Sequence, residues 1–367
     1  MTYKVPQLEP FLGEEELNNL KRAIETNWLT EGPFAKEFLE KILQITKSKY
    51  GVLASTGTLG LYLALLAADI KHGDDVIVPD FTFSASAASV VAVGANPVFV
   101  DVIEDDLNID VSLIEKNITP RTKAIMPVHI YGRSCDMSKI VEIAQKYNLR
   151  IVEDAAQAFG VFHKGKHAGT FGDTSMISFF ADKTITTGEG SVVLTNDEKI
   201  YNKLRYLRNQ GRVNSGTFVH PEHGMNFRMT DLQCAVGVAQ INKFRDIEKR
   251  KLEHYDMYSK LLKDFKEIRF IKGNDHSNFI PFRANIMVEH LKELMPYLEG
   301  KGIQTRGFFY PLHKQPYLSH LKYRESDFPV SNKAYEEGLS LPVFYNLKKE
   351  QIEYICDTLK EFYFNLR

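Results

Sequence analysis

Residues 49–68 read KYGVLASTGTLGLYLALLAA. A short apolar run containing Tyr50, Val52 and Leu53 stops at Ser55-Thr56-Gly57-Thr58 and reopens as a long leucine- and alanine-rich segment. That order predicts a strand, a tight turn and a buried helix. The pattern recurs in looser form downstream. DDVIVPD (74–80) predicts a strand that leads into a small-residue helix, SASAASVVAVG (84–94). NPVFVDV (96–102) and KAIMPVHIYG (123–132) read as strands, and MSKIVEIAQKYN (137–148) reads as a helix. LRIVEDAA (149–156), TSMISFFA (174–181) and SVVLTND (191–197) are apolar runs of strand length. Near-continuous apolar strands alternating with helices require a mainly parallel sheet covered on both faces, an α/β fold.

Either side of this block the periodicity is helical. EEELNNLKRAIE (14–25) carries Leu17, Leu20 and Ile24 behind an acidic first turn, and a second amphipathic helix is expected near 33–47. DIEKRKLEHYDMYSKLLKDF (246–265) predicts a long charged helix. Beyond it FIPFRANIMV (279–288) predicts a strand, HLKELMPYLEGKG (290–302) a helix and LKKEQIEYICDTLKEFY (347–363) a last helix. The expected division is a large domain over 1–245 and a small α+β domain over 246–367, ample for 367 residues.

Composition narrows the function. A net charge of −1, with 44% apolar and 25% charged residues, leaves no field to favour nucleic acid or an anionic membrane. Cys135, Cys234 and Cys356 are scattered and odd in number, which suggests no disulfide framework and no zinc site, and fits a reducing cytoplasm. The opening MTYKVPQLEPFLGEEE lacks the apolar core of a signal peptide, and no apolar run is long enough to span a membrane.

In an open α/β sheet ligands gather outside the carboxyl ends of the strands, so the residues just after each strand are compared first. After the first come Ser55, Thr56, Gly57 and Thr58, whose hydroxyls and helix-end N–H groups either cap a helix or hold a phosphate. After the second come Phe81 and Phe83, core aromatics or a face for a planar ring. EDAAQAFG (153–160) places Glu153 and Asp154 at the end of an apolar strand, where a carboxylate must be paired or solvated. Asp154 is either the cap of a following helix or an acceptor for the N–H of a protonated pyridine. SFFADKTITTGEGS (178–191) then offers Lys183, an amine able to form a Schiff base once desolvated.

STGTLGLYLAL, DDVIVPDFTFSASAASVVAVGANPVFVDV, VHIYGRSCDM, IVEDAAQAFG, SFFADKTITTGEGS, GMNFRMTDLQCAVG and LSLPVFYNLKKEQIEYI together, in order and across the chain, resemble the DegT/DnrJ/EryC1/StrS family of nucleotide-sugar aminotransferases. The resemblance implies the fold-type I aminotransferase architecture, a homodimer with shared active sites, and pyridoxal 5'-phosphate that becomes pyridoxamine 5'-phosphate in mid-cycle. It implies that Lys183 carries the cofactor, that Asp154 holds the pyridine nitrogen, and that Gln157 contacts the ring or its 3-hydroxyl. Phe83 would stack on the ring, Gly57, Thr58, Leu59 and Ser178 would hold the phosphate, and Asn226 would reach it from the second subunit. His313 and Tyr317 in PLHKQPYL match a segment near the sugar, with loop packing the alternative. The family's usual Gly-Glu-Gly-Gly ends here in Gly190-Ser191.

The implied reaction moves an amino group from glutamate to C4 of a nucleotide-linked 4-keto-6-deoxysugar, giving a 4-amino-4,6-dideoxysugar nucleotide. Another sugar carbon, or a UDP- or dTDP-linked sugar, is the alternative within the family. Lys183 argues against a sugar dehydratase on this fold, where histidine takes its place, and a non-catalytic cofactor-binding protein stands as the rival from another class. His163 and His167 in HKGKH, and His220 and His223 in HPEHG, read as surface histidines in turns, so no metal site is expected.

Overall fold

The computed structural model describes residues 3–212, 216 and 218–366. In chain order the strands are β1 (Tyr50–Ala54), β2 (Asp75–Pro79), β3 (Asn96–Val100), β4 (Thr122–Ile125), β5 (Arg150–Asp154), the two-residue pair β6 (Phe162–His163) and β7 (Lys166–His167), then β8 (Thr174–Ser178) and β9 (Ser191–Thr195). Among the described residues the main sheet has seven strands in the order β1-β9-β8-β5-β4-β2-β3. β9 runs antiparallel to both its neighbours and the other pairings are parallel. With β9 the exception, the strands therefore end at one edge, as a mainly parallel sheet requires.

The pleat sorts each strand's apolar residues between two cores. Val52, Val76, Val78, Val152, Met176 and Val193 face the helices Gly57–Ala67, Ala85–Ala92 and Glu198–Arg208. Leu53, Ile177, Val192 and Leu194 face Pro33–Thr46 and Asp231–Asn242, while Ile77, Ile125 and Ile151 face Met137–Tyr147. Both faces are thus covered, which is why the strands read as unbroken apolar runs. One helix end is closed from far along the chain: the buried Asp231 carboxylate accepts N–H groups of Gly32 (3.0 Å) and Ala35 (2.7 Å) at the start of Pro33–Thr46. Gly32 has no side chain because a Cβ there would meet Asp231 Oδ2 at 2.5 Å.

The second core surrounds a four-stranded antiparallel sheet, β10 (Ile268–Phe270), β11 (Ala284–Val288), β13 (Gly338–Leu341) and β12 (Arg306–Gly307), in the order β10-β11-β13-β12. Helices Leu291–Gly300 and Lys349–Leu366 pack on it. The helix Phe244–Leu262 joins the two bodies: Phe244 and Ile247 lie in the first core, Tyr258 and Leu262 in the second. Residue 245 therefore falls in the first turn of a connecting helix. The N-terminal segment belongs with the second core, since Val5 is buried there and bridges Ile303. No helix among the described residues is long and apolar enough to cross a membrane.

His163 and His167 depart from the sequence reading. They do sit in a turn between strands, yet each is only 1% exposed. His167 Nε2 accepts the Gly160 N–H at 2.9 Å, which fixes its neutral tautomer, and burial pushes its pKa down to about 4. A histidine that must charge on unfolding stabilises the fold above its unfolded pKa of about 6.5, and that stability is lost as pH falls through this value towards 4, a cost of roughly 3 kcal/mol. Denaturant titrations between pH 7 and pH 4 are expected to show this loss, and His167→Gln is expected to flatten it.

Candidate active site

Four strands that run the same way, β1, β8, β5 and β2, end at one edge of the sheet, and residues at and just after their ends line a cavity of about 400 Å³. Thr56, Gly57 and Thr58 come from β1, Thr82 and Phe83 from β2, Asp154 and Gln157 from β5, and Ser178, Asp182 and Lys183 from β8. The opposite wall is Phe282, Arg283 and Arg306 of the smaller body. Sheet topology does the gathering, since Thr56 and Lys183, the ends of the first set, are 127 positions apart in the chain.

Strand alternation decides the roles of the two carboxylates at the end of β5. Glu153 is fully buried and fully used: Oε1 accepts from Phe171 N and Gly172 N (both 2.7 Å), and Oε2 accepts from Gly169 N (2.7 Å) and meets His129 Nε2 at 3.0 Å. His129 Nδ1 takes the Cys135 N–H at 3.1 Å, so Nε2 carries the proton that Glu153 accepts. Asp154 points the other way, into the cavity. It has Ser86 Oγ (2.7 Å) on Oδ2 and the Ala156 N–H (3.1 Å) on Oδ1. Burial raises its pKa despite those bonds, so it is a buried acceptor short of a positive partner. No helix follows it; the bond to Ala156 closes a turn.

Lys183 sits in the turn after β8, its backbone N–H donating to the Phe180 carbonyl at 2.9 Å. Its Nζ lies 3.1 Å from Asp182 Oδ1 and 4.6 Å from the centre of the Phe282 ring. Burial lowers its pKa against the opposing pull of Asp182 and Asp154. Asp182 Oδ2 accepts in turn from Arg283 Nη2 at 2.9 Å. Gln157 is oriented by its carbonyl oxygen, which accepts the Tyr131 N–H at 2.7 Å and leaves the NH₂ group as the free end.

At the start of the helix Gly57–Ala67, Thr56 Oγ1 accepts the Leu59 N–H at 3.2 Å. Leu59 is therefore capped and packed on the core rather than offered to a ligand. Gly57 and Thr58 keep first-turn N–H groups with no intrahelical acceptor, at the positive end of the helix. Ser178 closes this cup, its Oγ only 3.2 Å from where a Gly57 Cβ would stand. Phe81 is core, whereas Phe83 is 58% exposed at the cavity and meets Phe309 edge-on.

Three residues singled out in the sequence stand apart from this cavity. Asn226 is exposed and accepts the Arg228 N–H at 3.2 Å. His313 is spent on Asp80, with Nδ1 at 2.8 Å from its carboxylate, and stacks on Phe328. Tyr317 is half-exposed, its hydroxyl 3.5 Å from the Ser84 carbonyl. Conversely Ser86, Asp182, Arg283 and Arg306 went unmarked in the sequence. Asp182 stood beside the lysine and Arg283 inside FIPFRANIMV, but only the fold makes them neighbours. Among the described residues no group of three or more His, Cys, Asp or Glu side chains is placed to hold a metal ion.

The donor set fits pyridoxal phosphate: an anion cup at Gly57, Thr58 and Ser178, a buried carboxylate short of a positive partner, a free amide at Gln157, and a buried amine whose pKa is lowered by that burial. Comparison with known proteins agrees. GDP-perosamine synthase of Escherichia coli O157:H7 is 39% identical over 361 residues, covering 98% of each chain. GDP-perosamine synthase of Vibrio cholerae is 36% identical, covering 98% of this chain and 99% of the relative. The solved structure of Spr1654 from Streptococcus pneumoniae in its PLP form superposes with a TM-score of 0.93 at 26% identity, over 98% of both chains. Residues 10–360 match the DegT/DnrJ/EryC1/StrS aminotransferase family, and the chain belongs to it as a pyridoxal phosphate-dependent sugar aminotransferase.

Proposed function

We propose that the enzyme transfers the amino group of glutamate to C4 of a GDP-linked 4-keto-6-deoxysugar, giving a GDP-perosamine-like product. The observation that carries this reading is Lys183, buried in the same cavity as Asp154, in a chain similar along nearly its whole length to GDP-perosamine synthases. The cofactor, when bound, supplies an electron sink that makes the carbon beside the migrating nitrogen acidic.

The chain's own residues hold and time that chemistry. Gly57, Thr58 and Ser178 would bind the phosphate, and Phe83 would offer a face to the ring. Asp154 would accept from the pyridine N–H, because a cation there offsets the cost of burying its charge. Gln157 would offer its NH₂ to the ring's oxygen. Lys183 Nζ, whose pKa burial lowers, would anchor the cofactor and, once freed from it, would hold and move the proton that the reaction transfers. With the ketosugar it would run the same transfer backwards.

A homodimer completes the reading. Asn226 is outside its own chain's cavity, and Trp28 and Leu29 are more than half-exposed apolar side chains beside Thr30, which bridges Thr230, four residues on from Asn226. Such a surface suits a second copy that brings its Asn226 to the neighbouring phosphate.

Purified enzyme with L-glutamate and either GDP- or UDP-linked 4-keto-6-deoxysugar, analysed by mass and NMR of the product, tests the proposal. Amination at C4 of the GDP sugar is expected, and amination only at another carbon or only of the UDP sugar refutes it. Borohydride reduction and peptide mapping should place the pyridoxyl label on Lys183; Lys183→Ala should fold, take no label and show no transamination. Asp154→Asn should keep the label while the proton-transfer steps slow by about a hundredfold or more, since a neutral ring is a weak electron sink. Full activity in that variant would reduce Asp154 to a turn-former.

A further inference from the structure

The cavity holds a carboxylate and a guanidinium, Asp182 and Arg283, with no part in the chemistry described so far. Asp182 bridges two cations, with Oδ1 at 3.1 Å from Lys183 Nζ and Oδ2 at 2.9 Å from Arg283 Nη2. The Arg283 side chain is 7% exposed and lines the cavity wall opposite the lysine. We propose that Arg283 is the receptor for the α-carboxylate of the amino donor, and that Asp182 holds its place until the donor arrives. This deepens, and rests on, the aminotransferase reading.

The argument is geometric. The donor's nitrogen must take the position that Lys183 Nζ occupies in order to displace it. In an α-amino acid the carboxylate carbon is two bonds from that nitrogen. A carboxylate so tethered falls within the reach that Asp182 Oδ1 now has from Nζ, and on the side where Arg283 stands. Asp182 thus mimics the donor: one carboxylate between an amine and a guanidinium.

The electrostatics allow the exchange. A buried guanidinium stripped of its counter-ion is strongly destabilised, whereas replacing one carboxylate by another leaves it paired throughout. Arg283 is pre-set for a planar acceptor. With the Gln7 amide turned so that both of its ends are satisfied, its oxygen accepts Arg283 Nη1 at 2.9 Å, which anchors the guanidinium from behind. The displaced Asp182 has somewhere to go, because Arg306 of β12, exposed on the same cavity wall, already acts on its charge. The carboxylates of Asp154 and Glu153 are bound elsewhere and cannot substitute. The ligand class is therefore a primary amine bearing an adjacent carboxylate.

The test compares whichever of glutamate, glutamine, aspartate and alanine the wild type uses with the matching amine that lacks the α-carboxylate, such as 4-aminobutyrate for glutamate. The donor half-reaction is followed in a single turnover. Calorimetry with the α-methyl derivative of the same donor, which has no α-proton to lose, reads binding without turnover. Wild type should prefer the amino acid by about a hundredfold or more, and Arg283→Gln should erase most of that preference by slowing the amino acid alone. Asp182→Asn should bind the α-methyl derivative about tenfold more tightly, since a competing carboxylate is gone; unchanged or weaker binding would make Asp182 a fixed partner and overturn the exchange. If Arg283→Gln does not fold, Arg283→Lys is read the same way, keeping the charge but losing the fork. A wild-type preference that survives the Arg283 substitution overturns the assignment while leaving the aminotransferase intact. A wild type that releases no keto acid from any donor would instead refute the enzymatic reading itself.

Discussion

Everything at the active site depends on the last two residues of β5 being carboxylates on a buried strand. Because side chains alternate, Glu153 and Asp154 cannot share an environment, and a sheet covered on both faces offers water to neither. Glu153 is satisfied within the protein, by three backbone N–H groups from 169–172 and by His129. That set of bonds fixes the loop leading into β8 and so the strand from which Lys183 is presented. Asp154 is left with one hydroxyl and one N–H, too few for a buried charge. The first carboxylate stabilises the frame; the second is available for a cationic ligand because the frame does not neutralise it.

The smaller body supplies the wall that makes Lys183 more than a surface lysine. Phe282 lies under Nζ and Arg283 reaches Asp182, and both precede β11, a strand in a separate core. Lys251, from the helix that joins the bodies, is buried behind that wall with Nζ at 3.4 Å from the Phe282 carbonyl, and burial brings its pKa down to about 7. The cavity is therefore a junction between two independently packed sheets. Its cationic wall and the segment carrying the reactive amine can each be held in place by its own core.

How much of this was legible in the sequence depended on the range of the interaction concerned. Strand-helix alternation is local, so β1, β5, β8 and the helix Gly57–Ala67 could be read from apolar runs and a Ser-Thr-Gly-Thr turn. The antiparallel placement of β9 between β1 and β8 could not, because register with a neighbour is set by the tertiary fold. Asp182 and Arg283 are 101 residues apart, and neither is unusual in its own segment. The misread histidines have the same origin: HKGKH has the polarity of a surface turn, yet Gly160, Phe159 and Phe162 close over His167 and bury it. Leu59 shows the limit at finer grain, since a helix start identifies which amides are available but not which one the Thr56 side chain will take.

The charges in the cavity form a balanced set whose balance shifts with what is bound. Lys183 and Arg283 stand against Asp182 and Asp154, and burial pushes the Lys183 ammonium and the Asp154 carboxyl towards their neutral forms while Asp182, held by Lys183 and Arg283, is pulled below the usual carboxylate range. A cation beside Asp154 would offset the burial that raises its pKa and so favour the carboxylate. On the lysine's side Asp182 is the strongest influence favouring the ammonium, ahead of Asp154. A donor carboxylate that took the Arg283 fork would draw Asp182 off Nζ, remove that contact, and let burial and the Arg283 charge weigh more heavily towards the neutral amine. The same carboxylate exchange that would admit a donor would thus shift Lys183 towards the form that accepts a proton.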